Sequence, residues 1–134
     1  MTEAQQGVLP AKLEHLRPRD KGDIERASQL IDIGYPDNAE ALPLMFTWLA
    51  DGNWPIAGPA ADYLSRLGWA VLPHVRSVLS SQDEQWVYWV LDLVVRRFPN
   101  DLIAELEPNL RALAEAPSGE EVDLLARDIL AGVD

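Results

Sequence analysis

Two strings in the chain set carboxylates beside indoles: Asp51-Gly52-Asn53-Trp54-Pro55-Ile56 and Asp83-Glu84-Gln85-Trp86-Val87-Tyr88-Trp89. In each, an acid precedes a tryptophan by three residues. At that spacing a carboxylate accepts from the free amides of a helix's first turn, so Asp51, Asn53 or Asp83 would cap helices while the tryptophans pack across them. The same residue types suit a second chemistry. Indole faces carry negative potential, so an edge of acids and indoles receives ammonium or guanidinium groups. Asp51, Asn53, Trp54, Asp83, Glu84 and Trp86, with Asp62 from the acid-rich stretch that follows, are the residues of such a partner-binding edge.

Catalytic constellations are poorly supplied. His15 and His74 are the only histidines, and cysteine is absent, which removes disulfides and thiolate zinc sites. Any general acid and base, or a metal site, would have to come from the acids alone. Their spacing matches no EF-hand, and no glycine-rich phosphate loop occurs. His74 follows Pro73 in a first helical turn, where an exposed imidazole is expected. Trp48, Trp54, Trp69, Trp86 and Trp89 could line a pocket for a small ligand or substrate, but their helical spacing suits a core better. No catalytic, cofactor-binding or metal-ligating residue is assigned.

The charge speaks to partners. The 134 residues carry a formal net charge of -11. Such a surface repels nucleic acid and anionic lipid, and attracts basic proteins at rates that fall with salt. Between Arg26 and Arg66 there is no cation, while Asp32, Asp37, Glu40, Asp51 and Asp62 all lie there. From Asp101 onward nine acids face only Arg111 and Arg127. Solubility alone is the competing explanation. No run approaches the roughly 18 uncharged apolar residues of a membrane span. Residues 1–10 read as a flexible leader without a secretory pattern, which points to a cytoplasmic protein.

The elements that must position these residues are helical. A short helix is expected from Ala11 to Arg17. Ile24, Ala27, Leu30 and Ile31 fall on one face of a helix over Lys21–Ile33, stopped by Gly34. A helix over Asp37–Ala50 carries Leu42, Met45, Phe46 and Leu49. One starting near Trp54-Pro55 and closed by Gly68 offers Ala57, Gly58, Ala60 and Ala61 for close approach. Ala70–Ser80 follows, and then Glu84–Phe98, apolar almost all round and therefore central. Asp101–Ala116 should bend at Pro108. Glu120–Ala131 closes the chain, with Ser118 and Glu121 at capping-box spacing.

A repeat runs through these helices. Leu42-Pro43, Leu72-Pro73 and Glu107-Pro108 each open an apolar helical run, at spacings of 30 and 35 residues. Leu42-Pro43-Leu44-Met45-Phe46-Thr47-Trp48-Leu49 aligns with Leu72-Pro73-His74-Val75-Arg76-Ser77-Val78-Leu79. A period of this size marks stacked helical hairpins, each too small to bury its apolar face alone. About three hairpins plus a C-terminal capping helix account for residues 11–134 as one all-α domain.

Arg19-Asp20-Lys21-Gly22-Asp23, Asn53-Trp54-Pro55-Ile56 and Trp86-Val87-Tyr88-Trp89 together resemble a family of small bacterial proteins, domain of unknown function 5071. The resemblance spans about Leu16 to Leu130. Members usually carry lysine where this chain has Val87. The resemblance implies a HEAT-like fold, here a right-handed α-solenoid, and brings no established reaction.

The functional expectation is a non-enzymatic protein-binding module with a basic partner. In its sharpest form it is an immunity-type inhibitor whose carboxylates cover the basic cleft of a toxin. The alternative is a structural adaptor that binds through a concave groove.

Overall fold

The computed structural model describes residues 9–132, all-helical and without a strand among them. Among the described residues nine α-helices run in order: α1 (Ala11–Glu14), α2 (Ile24–Ile33), α3 (Leu42–Thr47), α4 (Ala57–Arg66), α5 (Leu72–Leu79), α6 (Glu84–Leu93), α7 (Asn100–Glu105), α8 (Glu107–Glu115) and α9 (Val122–Ala131). Short 3-10 turns at Ala39–Ala41, Gly68–Val71 and Val95–Arg97 precede α3, α5 and α7. Most of the expected flexible leader, residues 1–8, lies outside the described span, while Leu9 is buried in the core.

Consecutive elements pack on their neighbours. α2 packs on α4, α4 on α6 and α6 on α9; α3 packs on α4 and α5, α5 on α6, and α8 on α9. α6 thus meets α4, α5 and α9, as its nearly continuous apolar surface requires. Small side chains bring α4 close to its neighbours: Ala57, Ala60 and Ala61 are fully buried. Gly58, expected to share that role, is exposed instead.

One hydrophobic cluster runs from Leu9 to Ile129, with Leu30, Leu42, Met45, Phe46, Leu64 and Leu91 among its fully enclosed members. Enclosing each such side chain contributes about 1.5–3 kcal/mol. Asn38 is the buried polar residue among the described positions. Its Nδ2 donates to the Leu30 carbonyl at 2.9 Å, and the Tyr63 hydroxyl donates to its Oδ1 at 3.2 Å. That pairing fastens the end of α2 to α4. An amide buried without such partners would cost about 1–3 kcal/mol.

Several boundaries differ from the sequence expectation for local physical reasons. α1 closes at Glu14 rather than Arg17. α2 begins at Ile24 because the Asp23 carboxylate accepts from the Arg26 amide at 3.4 Å, and Ile24 is exposed rather than core. Residues 37–50 form a 3-10 turn followed by α3, since proline at the start of α3 withholds an amide. Pro55 lies in a turn, and α4 starts two residues later. The expected bend at Pro108 falls at Leu106, which separates α7 from α8. Ser118 and Glu121 form no capping box. Glu121 adopts a left-handed φ of 62°, and the Ser118 hydroxyl instead accepts from the Glu120 amide at 3.2 Å.

Candidate functional site

The segment ahead of α2, the α3–α4 connection and the helix α6 bring the distinctive strings together. Residues 19–23 form a knot of backbone-directed carboxylates ahead of α2. Asp23 accepts from the Arg19 amide at 2.9 Å, and Asp20 from the Gly22 amide at 2.8 Å. The Arg19 amide, against a smaller opposing effect of desolvation, holds the Asp23 carboxyl below its usual range. From this knot the Lys21 carbonyl accepts from the Ile56 amide at 3.2 Å, while Lys21 Nζ lies 5.7 Å from the centre of a Trp54 ring. A cation at that distance from an indole face is attracted by about 0.5–1 kcal/mol. Residues 19–23 and 53–56 are therefore one site in space.

The third string joins through the turn at Gly52. A Cβ there would sit 2.7 Å from Cδ2 and Cζ3 of Trp89, so only glycine lets the backbone lie on that indole. Tyr88 meets the same indole edge-on, with ring centres 5.4 Å apart. Trp86 turns inward and donates Nε1–H to the Phe46 carbonyl at 2.7 Å, which satisfies an acceptor at the end of α3. Three segments far apart in sequence thus meet around the α3–α4 connection.

Each residue of the expected edge has a definite place. Asp51 accepts from the Asn53 amide at 2.8 Å and shapes the turn. Asn53 is exposed, and Trp54 is half-buried under Lys21. Asp83 caps α6 by accepting from the Trp86 amide at 3.1 Å, next to an exposed Glu84. Trp86 is buried, out of reach of a partner. Asp62, exposed on α4, is held by Arg97 from the third 3-10 turn. Structure brings Asp51, Asn53 and Trp54 together in one turn. The others are spread along α4 and the start of α6.

A groove of about 350 Å³ lies beside this junction, floored by Trp48, Trp54 and Ile56 and rimmed by Asp20, Lys21 and Thr47. Of the rim residues, Lys21 lies over the Trp54 ring, while the Asp20 carboxylate accepts from the Gly22 amide. No group of three or more His, Asp or Glu side chains that could hold a metal ion occurs among the described residues. His74 is half-buried against Phe46, ring centres 6.0 Å apart, and not exposed as expected. Its burial lowers the imidazole pKa.

The residue that sequence reasoning misplaced most is Trp69. Expected in the core with the other tryptophans, it is 56% exposed. The signal was available in Gly68, whose left-handed φ of 62° ends α4 and carries Trp69 off the helix face into a turn. Tyr35, 50% exposed after the Gly34 stop, follows the same rule.

The architecture defines an all-α protein among the described residues, with polar and aromatic groups gathered from the α3–α4 connection, the segment ahead of α2 and α6. Residues 16–130 match the family model described as Domain of unknown function (DUF5071), and the chain belongs to that family. No curated protein matches it.

Proposed function

We propose that this chain is a non-enzymatic, cytoplasmic protein-binding module built as a single HEAT-like right-handed α-solenoid, with a basic protein as its partner. In the sharpest form it is an immunity-type inhibitor that covers the basic cleft of a toxin. The succession α2–α4–α6–α9, with α3 against α5, supports the solenoid: each helix has its neighbour one repeat away.

The single observation that carries the partner's chemistry is the distribution of unpaired charge. Of the 11 Lys and Arg in the sequence, Arg17, Arg26, Arg76, Arg96, Arg97 and Arg111 are engaged with acids of this chain. Asp32, Asp37, Glu40, Asp83 and Glu84 are exposed with no cation partner among the described residues. A basic surface would meet a field that steers association, whereas nucleic acid and anionic membranes would be repelled.

The structural-adaptor alternative draws on the groove floored by Trp48, Trp54 and Ile56. Binding there would resist salt, because its contacts are mainly apolar. Affinity capture from the native cell lysate, washed at low and high salt, separates the two. A basic protein released at high salt is expected. A partner retained at both salts favours the adaptor role, and no protein partner at either salt overturns both.

A further inference from the structure

Resting on the acidic protein-binding role proposed above, we infer that the partner docks where α2 and α4 end, presenting an arginine-rich face to Trp69 and Tyr35 among Asp32, Asp37 and Glu40. The hydrogen bonds of Asn38 to Leu30 and Tyr63 hold the C-terminal ends of α2 and α4 together. The chain leaves α2 through Gly34 and α4 through Gly68, so Tyr35 and Trp69 emerge at the same end of neighbouring repeats. In the 30-residue alignment of the two Leu-Pro strings, Trp69, second in the turn Gly68–Val71, takes the place of Ala39, four residues after Tyr35. The two exposed rings are not equivalent positions of the repeat, but each directly follows the positive-φ glycine after α2 or α4.

The remaining tryptophans are committed elsewhere. Trp48 and Trp86 are buried, Trp89 lies against Gly52, and Trp54 is half-buried with Lys21 over its ring. Trp69 alone keeps most of its indole in water, and interface energy concentrates on tryptophan, tyrosine and arginine. Asp32, Asp37 and Glu40 are exposed and have no cation partner among the described residues. Of the cations at this end, Arg97 is held by Asp62, while Arg66 is exposed at the end of α4. The local balance stays acidic. A guanidinium fits such a surface better than an ammonium. Its plane stacks on an indole or phenol while its edge donates to two carboxylate oxygens at once. The acidic C-terminal region has exposed Leu124 but no exposed ring, so it offers charge without that second contact.

The probes are labelled oligo-arginine and oligo-lysine peptides of equal length, titrated at low salt while the five indole N–H resonances are followed by NMR. Trp69 should shift most, and oligo-arginine should bind more tightly than oligo-lysine. Trp69→Ala should weaken oligo-arginine by about tenfold, the loss typical of an aromatic anchor. Asp37→Lys with Glu40→Lys should do the same. The control pair Glu115→Lys with Glu120→Lys, equal in net charge change, should alter binding by no more than about twofold. Trp69, Asp37, Glu40, Glu115 and Glu120 are all exposed, and each variant's melting curve checks its fold. If the two charge pairs weaken binding equally and Trp69→Ala has no effect, the docking surface is overturned while the acidic role stands. If neither peptide binds, both fall. A free protein that self-associates through Trp69, seen in sedimentation and lost in Trp69→Ala, would assign this end to a second copy and overturn the basic partner there.

Discussion

Gly52 lies on the face of the Trp89 indole so closely that no other residue fits: a Cβ would approach Cδ2 and Cζ3 to 2.7 Å. This contact ties the α3–α4 connection to α6 and sets the turn that carries Asp51, Asn53 and Trp54. Gly52→Ala must push the ring or the turn aside and should destabilise the fold by about 1–3 kcal/mol. Urea unfolding measures it. In a Trp89→Ala background the same substitution should lose most of its effect, because the ring it strikes is gone. An unchanged penalty there would show that the strain lies in the turn itself.

Trp86 is a structural residue in this account. Trp86→Phe keeps most of the apolar area but removes the Nε1–H that the Phe46 carbonyl accepts. The orphaned acceptor should cost about 1–3 kcal/mol of unfolding free energy, with partner affinity unaltered. Loss of affinity in a fully folded Trp86→Phe would return this residue to the interface.

Asn38 and Tyr63 form the one buried polar link between α2 and α4 among the described residues. Asn38→Leu should destabilise by about 1–3 kcal/mol, since the Leu30 carbonyl and the Tyr63 hydroxyl lose their partner. Tyr63→Phe added to it should cost less than it does alone, the signature of a shared pair in a double-mutant cycle.

Stability should fall as pH drops below about 6.5, the ordinary histidine value. Burial lowers the folded pKa of His74, so between that lowered value and 6.5 the unfolded chain binds more protons than the folded one. The contribution is complete above 6.5 and is lost as pH falls through this window. Glu14, lowered first by its hydrogen bond from Arg17, and Asp23, lowered first by the Arg19 amide, lose theirs at still lower pH. Melting temperatures across the window should flatten in His74→Gln. A slope that survives the substitution would exclude His74 as its source.

Much of the helical order was legible because it rests on local patterns. The Leu-Pro openings of α3 and α5, the all-round apolar surface of α6 and the stops at Gly34 and Gly68 each follow from a few neighbouring residues. What was not legible depends on distant contacts or on competition within a turn. Nothing near Gly52 announces that Trp89 will lie on it. Ser118 and Glu121 have capping-box spacing, yet Glu121 turns left-handed and α9 starts after it. The expected edge named Trp86 as an anchor because acid and indole adjoin in sequence, whereas the hydrogen bond to Phe46 turns the ring inward. Trp69 was expected in the core from the helical spacing of the tryptophans, although the glycine before it already breaks the helix.

In the proposed role, charge brings a basic protein to this chain. This is tested most directly by measuring the dissociation constant and association rate of a captured basic partner at low and near-physiological salt. Affinity should fall steeply with salt, carried mainly by a slower association rate. A dissociation constant that stays flat as salt rises would contradict it and leave the apolar groove beside Trp54 as the surface to pursue.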